Sequence, residues 1–349
     1  MTKLRKAAAF TDIHWGAKNN SDQHNQDCLN YIDWFCNHVK SSDVDHVIFM
    51  GDWYEVRSAI NISTLAFSHE GARRLNNLNI PVFFIIGNHD LYYRHSRDIY
   101  STITFSELSN FTIINEPKII DEIETSPLLC PYLFNHEYPS LVEYNKVKTW
   151  WGHFEFKGFI VTGYNITMQS GPDHTSFNGP TFIFSGHFHK RQYGGNVVYI
   201  GNTFPTNFSD ADDSARGMMI YDHVSEDITF LDWEDCPKYI KTTLSKLLDD
   251  NFDLPKHSRV QCIVDIPITF EECAIIKQTF TDQFELREFI TEESREIATA
   301  ITDTEFETIE QVDETSASSV DELVIQMLNS IKTDHIDNDL LVKQYKRLG

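Results

Sequence analysis

Val82-Phe83-Phe84-Ile85-Ile86-Gly87-Asn88-His89-Asp90 is the stretch on which the fold turns. Five consecutive residues are β-branched or aromatic, as in a strand buried on both faces, and three polar residues follow a glycine without a gap. Packing does not account for Asn-His-Asp at the end of such a run. The same grammar recurs along the chain. Asp12-Ile13-His14 follows the apolar residues 7–10, Gly51-Asp52 follows 47–50, Gly152-His153 follows 149–151, and Gly186-His187-Phe188-His189 follows 182–184. A sixth run, 197–200, closes the series. Amphipathic segments at 22–40 and 63–78 separate the early runs, and the first places Cys28, Ile32, Phe35, Cys36 and Val39 on one face. Strand–helix–strand alternation predicts an α/β fold with a mostly parallel sheet covered by helices, whose ligands bind beyond the carboxyl ends of the strands. Every motif starts where an apolar run stops, so residues as far apart as 12 and 189 can meet.

The motif residues have the chemistry of a two-metal centre. Carboxylate and imidazole together favour borderline divalent ions such as Mn, Fe or Zn over Mg or Ca, which prefer all-oxygen shells. Asp52 follows a glycine, and a carboxylate at such a turn has two oxygens with which to bridge two cations. Asn88 offers a neutral amide oxygen, which limits the negative charge of the site. His153 is the weakest member, because His136 competes for the role. His153 is preferred since it follows Trp150-Trp151-Gly152 in the grammar of the other motifs. Paired metals about 3.5–4 Å apart activate water and stabilise both oxygens of a phosphoryl displacement.

Bulk composition narrows the setting. Of 349 residues, 41% are hydrophobic and 23% charged, as in a globular protein, and no apolar run reaches the length of a membrane span. The opening MTKLRKAAAF is too short in apolar residues for a secretion signal. The six cysteines form no C-x-x-C pair and read as reduced thiols in a cytosolic protein. The net charge of −23 divides into −9 over residues 1–230 (17 basic, 26 acidic) and −14 over 231–349 (12 basic, 26 acidic). That is not the footprint of an autonomous nucleic-acid binder, so a DNA-processing role needs a local basic path, the metals, or a partner chain. The basic residues beside the metal motifs, Lys18, Arg57, Arg94, Arg97, Lys190 and Arg191, are the candidates for phosphate contacts. No P-loop is present, so any ATP hydrolysis belongs to another chain.

The pattern changes near residue 231. Residues 1–230 read as the catalytic domain and 231–302 as a small α+β appendage with an apolar run at 260–266 and a helix around 271–280. Residues 303–318 open an acidic stretch that cannot bury enough apolar surface to fold alone. From Ser319, which has capping-box spacing to Glu322, a helical tail runs to 349, with Leu323, Val324, Met327, Leu328 and Ile331 in one stripe. Such a tail can pack back on the body or dock on a partner.

Taken together, D-x-H, GD, GNHD, H and GHxH resemble the pattern of the calcineurin-like metallophosphoesterases over about residues 7–200. Within that superfamily the chain is most similar to the SbcD-type nuclease subunits of double-strand-break repair complexes, and among these to the small subunits of tailed-phage recombination endonucleases. The narrower likeness rests on residues 51–57, 86–93, 152–155, 199–203 and 212–222. The resemblance implies a metallophosphoesterase β-sandwich with flanking helices, then a capping domain and a helical tail. It implies that Asp12, His14 and His189 bind one metal, that Asn88, His153 and His187 bind the other, and that Asp52 bridges them. His89 then acts on the transition state or the leaving oxygen, with Asp90 orienting its ring. The family further implies two Mn ions and DNA as substrate. It implies a homodimer through helices near 91–108, and a C-terminal region gripping a coiled-coil ABC-type ATPase, all in the host cytoplasm if phage-encoded. One departure stands out: Glu55 occupies the position where many members carry a second histidine, and Arg57 is the candidate to supply the missing positive charge. Two rival readings are a small-molecule phosphodiesterase or phosphatase of the same fold, and a non-catalytic scaffold.

Overall fold

In the computed structural model of the chain, residues 2–161, 166–211, 213, 215–249, 252–293 and 343 are described. They divide into two compact units. The first comprises Met1–Lys241, Asp253–Gln261 and Ile275–Ile290, and the second Thr242–Phe252, Cys262–Ala274 and Thr291–Gly349.

The first unit holds two six-stranded sheets. One contains β1 (Lys6–Phe10), β2 (His46–Met50), β3 (Val82–Ile85) and β4 (Phe111–Ile114), all parallel. The other contains β5 (Lys118–Ile119), β6 (Leu128–Cys130), β7 (Thr149–Gly152), β8 (Phe182–Ser185), β9 (Gln192–Gly194) and β10 (Val197–Tyr199), with β6, β7, β8 and β10 parallel. β11 (Gly217–Asp222) returns antiparallel beside β1, and β12 (Ile228–Asp232) closes that edge. The orders are β12-β11-β1-β2-β3-β4 and β5-β6-β7-β8-β10-β9. The sequence pattern predicted one mostly parallel sheet, and the structure has two. The runs were identified as strands, but their composition does not say which sheet each joins. The β-sandwich with flanking helices that the resemblance implies is nonetheless the architecture present.

Side-chain alternation shows why. Ala7, Ala9, Ile48, Met50, Phe83 and Ile85 pack with Trp151, Phe184, Val198 and Ile200 in one buried cluster between the sheets. The alternate residues Ala8, Phe10, Val47, Phe49, Val82 and Phe84 face away, into a second cluster with the helix Asp22–Lys40. Parallel register places Phe49 level with both Phe10 and Phe84, and their rings lie 4.9 and 4.5 Å from the Phe49 ring. The Asp22–Lys40 helix buries the face expected from its periodicity, and the helix Ile62–Asn76 packs beside it. The outer face of the second sheet is covered by loops through Leu133, Tyr138, Phe154, Phe156 and Phe177.

The helices expected near 91–108 are absent. That segment is turns and one short 3-10 helix, Ile103–Glu107. Ser96 Oγ donates to Asp98 Oδ2 at 2.9 Å, a local bond that competes with a helical ladder.

In the second unit, Ser245 N donates to Asp265 Oδ1 at 2.9 Å. The helix Phe270–Phe284 starts there in a reciprocal capping box, with Thr269 N donating to Glu272 Oε2 at 2.8 Å and Glu272 N to Thr269 Oγ1 at 3.2 Å. The third sheet of the chain, not confined to the second unit, has three strands, β13 (Tyr239–Thr243), β14 (Arg259–Val264) and β15 (Glu288–Glu293). The acidic linker at 303–318 and, apart from Lys343, the tail at 319–349 lie outside the described residues. No helix among the described residues is long and apolar enough to cross a membrane.

Candidate metal centre

The five motifs meet where parallel strands of both sheets end. The chain turns sharply there: Asp12, His14, Asp52 and His187 all have positive φ, at 52°, 52°, 60° and 87°. L-residues rarely adopt this region, and such strain gathers at functional sites. Glycine makes the close approaches possible. A Cβ at Gly87 would sit 2.2 Å from Asp52 Oδ1, and one at Gly186 would sit 2.1 Å from Thr11 Oγ1.

The side chains converge in two groups. Asp12, His14 and His189 form one, with His14 Nε2 3.1 Å from His189 Nε2 and each nitrogen 3.8 to 3.9 Å from Asp12 Oδ1. Asp52, His153 and His187 form the other. There Asn88 Oδ1 lies 2.9 Å from His153 Nε2 and 2.8 Å from His187 Nδ1, and those two nitrogens are 3.2 Å apart. Asp52 lies between the groups: its Oδ2 is 3.2 Å from His153 Nε2 and 3.9 Å from His14 Nε2. His136 stacks on Phe134 with centroids 6.0 Å apart and belongs to neither group.

The donor set fits divalent cations. A carbonyl oxygen only accepts, so His153 Nδ1, 2.7 Å from Met50 O, carries a proton, and Nε2 is the nitrogen turned to the site, whose lone pair a cation would take in place of a proton. His14 Nδ1 sits 2.8 Å from Glu55 Oε2, off the line of its N–H bond, and His187 Nε2 sits 3.3 Å from Glu155 Oε2. The nitrogens turned inward therefore share a small volume with two carboxylates and an amide oxygen. Acceptors pressed together without donors repel, and positive charge among them resolves the conflict. The electrostatics of the site express the same demand. Burial pushes the His14 and His153 imidazoles down, but the surrounding carboxylates, Glu55 and Asp52 foremost, overcome it and hold both at about 9. His189 is driven well below its ordinary value by burial and by the charge of His14.

Asp90 does not orient the His89 ring. Its carboxylate is fully buried and accepts backbone N–H bonds from Gly87 (2.9 Å), Asp52 and Trp53 (both 3.0 Å) and Tyr54 (3.4 Å). Asp90 is thus the clasp that ties the Asp52 loop to the Asn88 loop. Burial and the neighbouring charge of Asp52 hold its carboxyl up at about 7. The His89 ring is held instead by the Glu55 carbonyl, which accepts from Nδ1 at 2.6 Å, and His89 N donates to Asp52 Oδ1 at 2.7 Å.

The six basic candidates divide. Arg97 is engaged with Glu137, donates to Tyr132 O at 2.8 Å and lies 5.1 Å over the Phe134 ring. Arg191 donates to Asp232 at 2.9 Å and stacks 4.1 Å over Phe230. Both are structural, since partners some 40 residues away absorb their charge. Lys18 lies 4.7 Å over the Tyr239 ring, its ammonium lowered to about 8 by burial and by Arg259. Arg94 is exposed, and Lys190 and Arg57 are half-buried.

Several residues at the site were given no role by the sequence reading, although Glu155 and Arg216 lie in stretches that carry the narrower likeness. Thr11 Oγ1 donates to Asp12 Oδ2 at 2.6 Å. Buried Arg216 donates to the His189 carbonyl and is paired with Asp213 at 2.9 Å. Tyr132 packs 5.9 Å from the His187 ring. Glu155, two residues beyond His153 on an extended segment, had a usable signal in its position.

The calcineurin-like phosphoesterase model matches residues 5–191, a span that contains all five motifs. This chain is a calcineurin-like phosphoesterase. It is 26% identical over 224 residues to exonuclease subunit 1 of Enterobacteria phage T4, a match spanning 63% of this chain and 65% of that protein. Among solved structures it is similar to the nuclease MPE of Pseudomonas putida, at 16% identity and a TM-score of 0.31, covering 64% of this chain and 87% of that one. It is also similar to a dimetal phosphatase from Danio rerio, at 9% identity and a TM-score of 0.39, covering 63% and 93%. A phosphoesterase with these acceptor groups is a metal-dependent enzyme.

Proposed function

We propose that the chain is a two-metal DNA nuclease that hydrolyses phosphodiesters with Mn. Asp12, His14 and His189 would hold one ion, Asn88, His153 and His187 the other, and Asp52 would bridge. The observation that carries the reading is the convergence of acceptor groups in two clusters, one of Asp12, His14 and His189 and one of Asp52, His153 and His187, with Asp52 also 3.9 Å from His14 and the His89 ring 5.0 Å from that of His14. The likeness to a phage exonuclease subunit supports DNA as substrate.

When bound, the cations supply activation of water and neutralisation of phosphoryl charge. The chain's own groups do the rest. The Glu55 carbonyl takes the Nδ1 proton of His89, so His89 Nε2, when protonated, is the nitrogen free to give a proton to the departing sugar oxygen. Asp90 holds the Asp52 and Asn88 loops in register. Arg57 and Arg94, with Lys18 and Lys190, form the path for the DNA backbone. A coiled-coil ABC-type ATPase gripped by the C-terminal region is the partner this reading requires. A homodimer would use the exposed Tyr92, Tyr93, Ile99 and Ile103 beside the site.

The test compares wild type with His89→Gln on linear duplex DNA and on a small aryl phosphodiester, both in Mn, with and without the ATPase. The variant is expected to lose about 10²–10⁴-fold in DNA cleavage, the usual worth of a general acid, while still binding metal. Turnover of the aryl diester without DNA cleavage would favour a small-molecule phosphodiesterase. Equal inactivity of wild type and variant with the partner present would leave a scaffold.

A further inference from the structure

Two half-exposed glutamates face the centre from outside, one behind each histidine-containing group. Glu55 Oε2 lies 2.8 Å from His14 Nδ1, beside rather than on the line of its N–H bond, and Glu155 Oε2 lies 3.3 Å from His187 Nε2. Their side chains are 40% and 25% exposed, so neither is a core residue retained for packing. Each is fixed by its backbone. Glu55 N donates to Trp15 O at 3.0 Å, and Glu55 O accepts from His89 Nδ1, so one residue touches both His14 and His89. Glu155 N donates to the Tyr138 hydroxyl at 2.9 Å, and the Tyr132 phenol reaches the Glu155 carboxylate.

We propose that Glu55 and Glu155 are positioning residues, one for each metal, that keep the inward nitrogens of His14 and His187 as lone-pair donors and bring the charge of the loaded centre to zero. The inference rests on the two-metal reading above. A carboxylate on the outer nitrogen of a metal-binding imidazole fixes the tautomer and the ring and makes the inner nitrogen more basic. The charge count gives the arrangement a second consequence. Asp12 and Asp52 leave two divalent ions with two surplus positive charges, and Glu55 and Glu155 cancel them. A neutral centre holds a singly charged phosphodiester without gripping the doubly charged phosphate group of a monoester. The pair thereby selects diesters over monoesters and limits retention of phosphate.

Calorimetric titration of the full chain, first with Mn alone and then with inorganic phosphate on the Mn-loaded protein, tests this without DNA or turnover. Wild type should bind two Mn. Glu55→Ala and Glu155→Ala should each keep one site and weaken the other by about 10–100-fold. Glu55→Gln and Glu155→Gln keep an oxygen acceptor, so they should recover most of that affinity yet bind phosphate several-fold more tightly than wild type. A role confined to local packing would not tighten phosphate. If both alanine variants bind two Mn as wild type does, or both glutamine variants bind phosphate no more tightly, the inference is overturned. If wild type itself binds no Mn, the metal centre falls and the glutamates fall with it.

Discussion

Replacing Asp90 by Asn separates two views of this residue. A side chain that merely steers the neighbouring imidazole would leave stability untouched when changed to an isosteric amide. The structure instead shows a buried carboxylate filling four backbone N–H groups, two on each oxygen: Gly87 and Asp52 on Oδ2, Trp53 and Tyr54 on Oδ1. An asparagine keeps one oxygen. Whichever way the amide is turned, its NH₂ faces two donors, which lose their acceptor in a site without water access. A buried donor left unsatisfied costs about 1–3 kcal/mol, so the two together cost about 4 kcal/mol. For a domain of this size each kcal/mol lowers Tm by about 2–4 °C, giving a drop on the order of 10 °C. Thermal unfolding in EDTA, followed by circular dichroism, measures the clasp without any metal contribution. The variant should also bind Mn poorly, because Asp52 and Asn88 lose their register. A fall in Tm of under 2 °C with unchanged Mn affinity would refute the argument.

Two further outcomes follow from the same geometry. Gly87→Ala would drive a methyl into Asp52 Oδ1, 2.2 Å away, so it should abolish Mn binding while most of the sandwich remains folded, as metal titration and circular dichroism would show. Acid should destabilise the protein through two buried neutral imidazoles: burial lowers His24 to about 4 and His223 to about 3. Unfolded histidine titrates near 6.5, so between that pH and 3 the unfolded chain binds more protons. The contribution is fully present above pH 6.5 and disappears as pH falls towards 3–4. His14 and His153, raised to about 9, act in the opposite sense: their contribution is full below pH 6.5 and is lost as pH rises towards 9, so they are not the source of a loss in acid. His223 has both ring nitrogens buried without a partner, so His223→Phe should flatten the loss of the urea midpoint between pH 7 and 5. An unchanged slope would exclude His223 as its source.

Much of the candidate site was legible because each metal-type residue sits directly after a strand, where apolar and polar residues change over abruptly. The helix Asp22–Lys40 was legible because its apolar spacing has one solution. What escaped reading was what depends on residues far apart in sequence. Apolar runs at 47–50 and 149–151 look alike, yet belong to different sheets, because the choice is made by facing partners such as Ile48 and Trp151. Arg97 and Arg191 look like free cations until Glu137 and Asp232 arrive from elsewhere. Asp90 adjoins His89 in the chain, but its side chain turns to the backbone of the Asp52 loop, and adjacency was the wrong guide.

The centre draws Asp12, Asp52 and Asn88 from one sheet and His153 and His187 from the other. A nascent chain that has emerged only to residue 150 therefore lacks three of the seven candidate ligands, His153, His187 and His189. On the proposed reading, the centre is complete only when the strands leading to His153 and His187 lie against those leading to Asp12, Asp52 and Asn88, so ions held there would tie one sheet to the other.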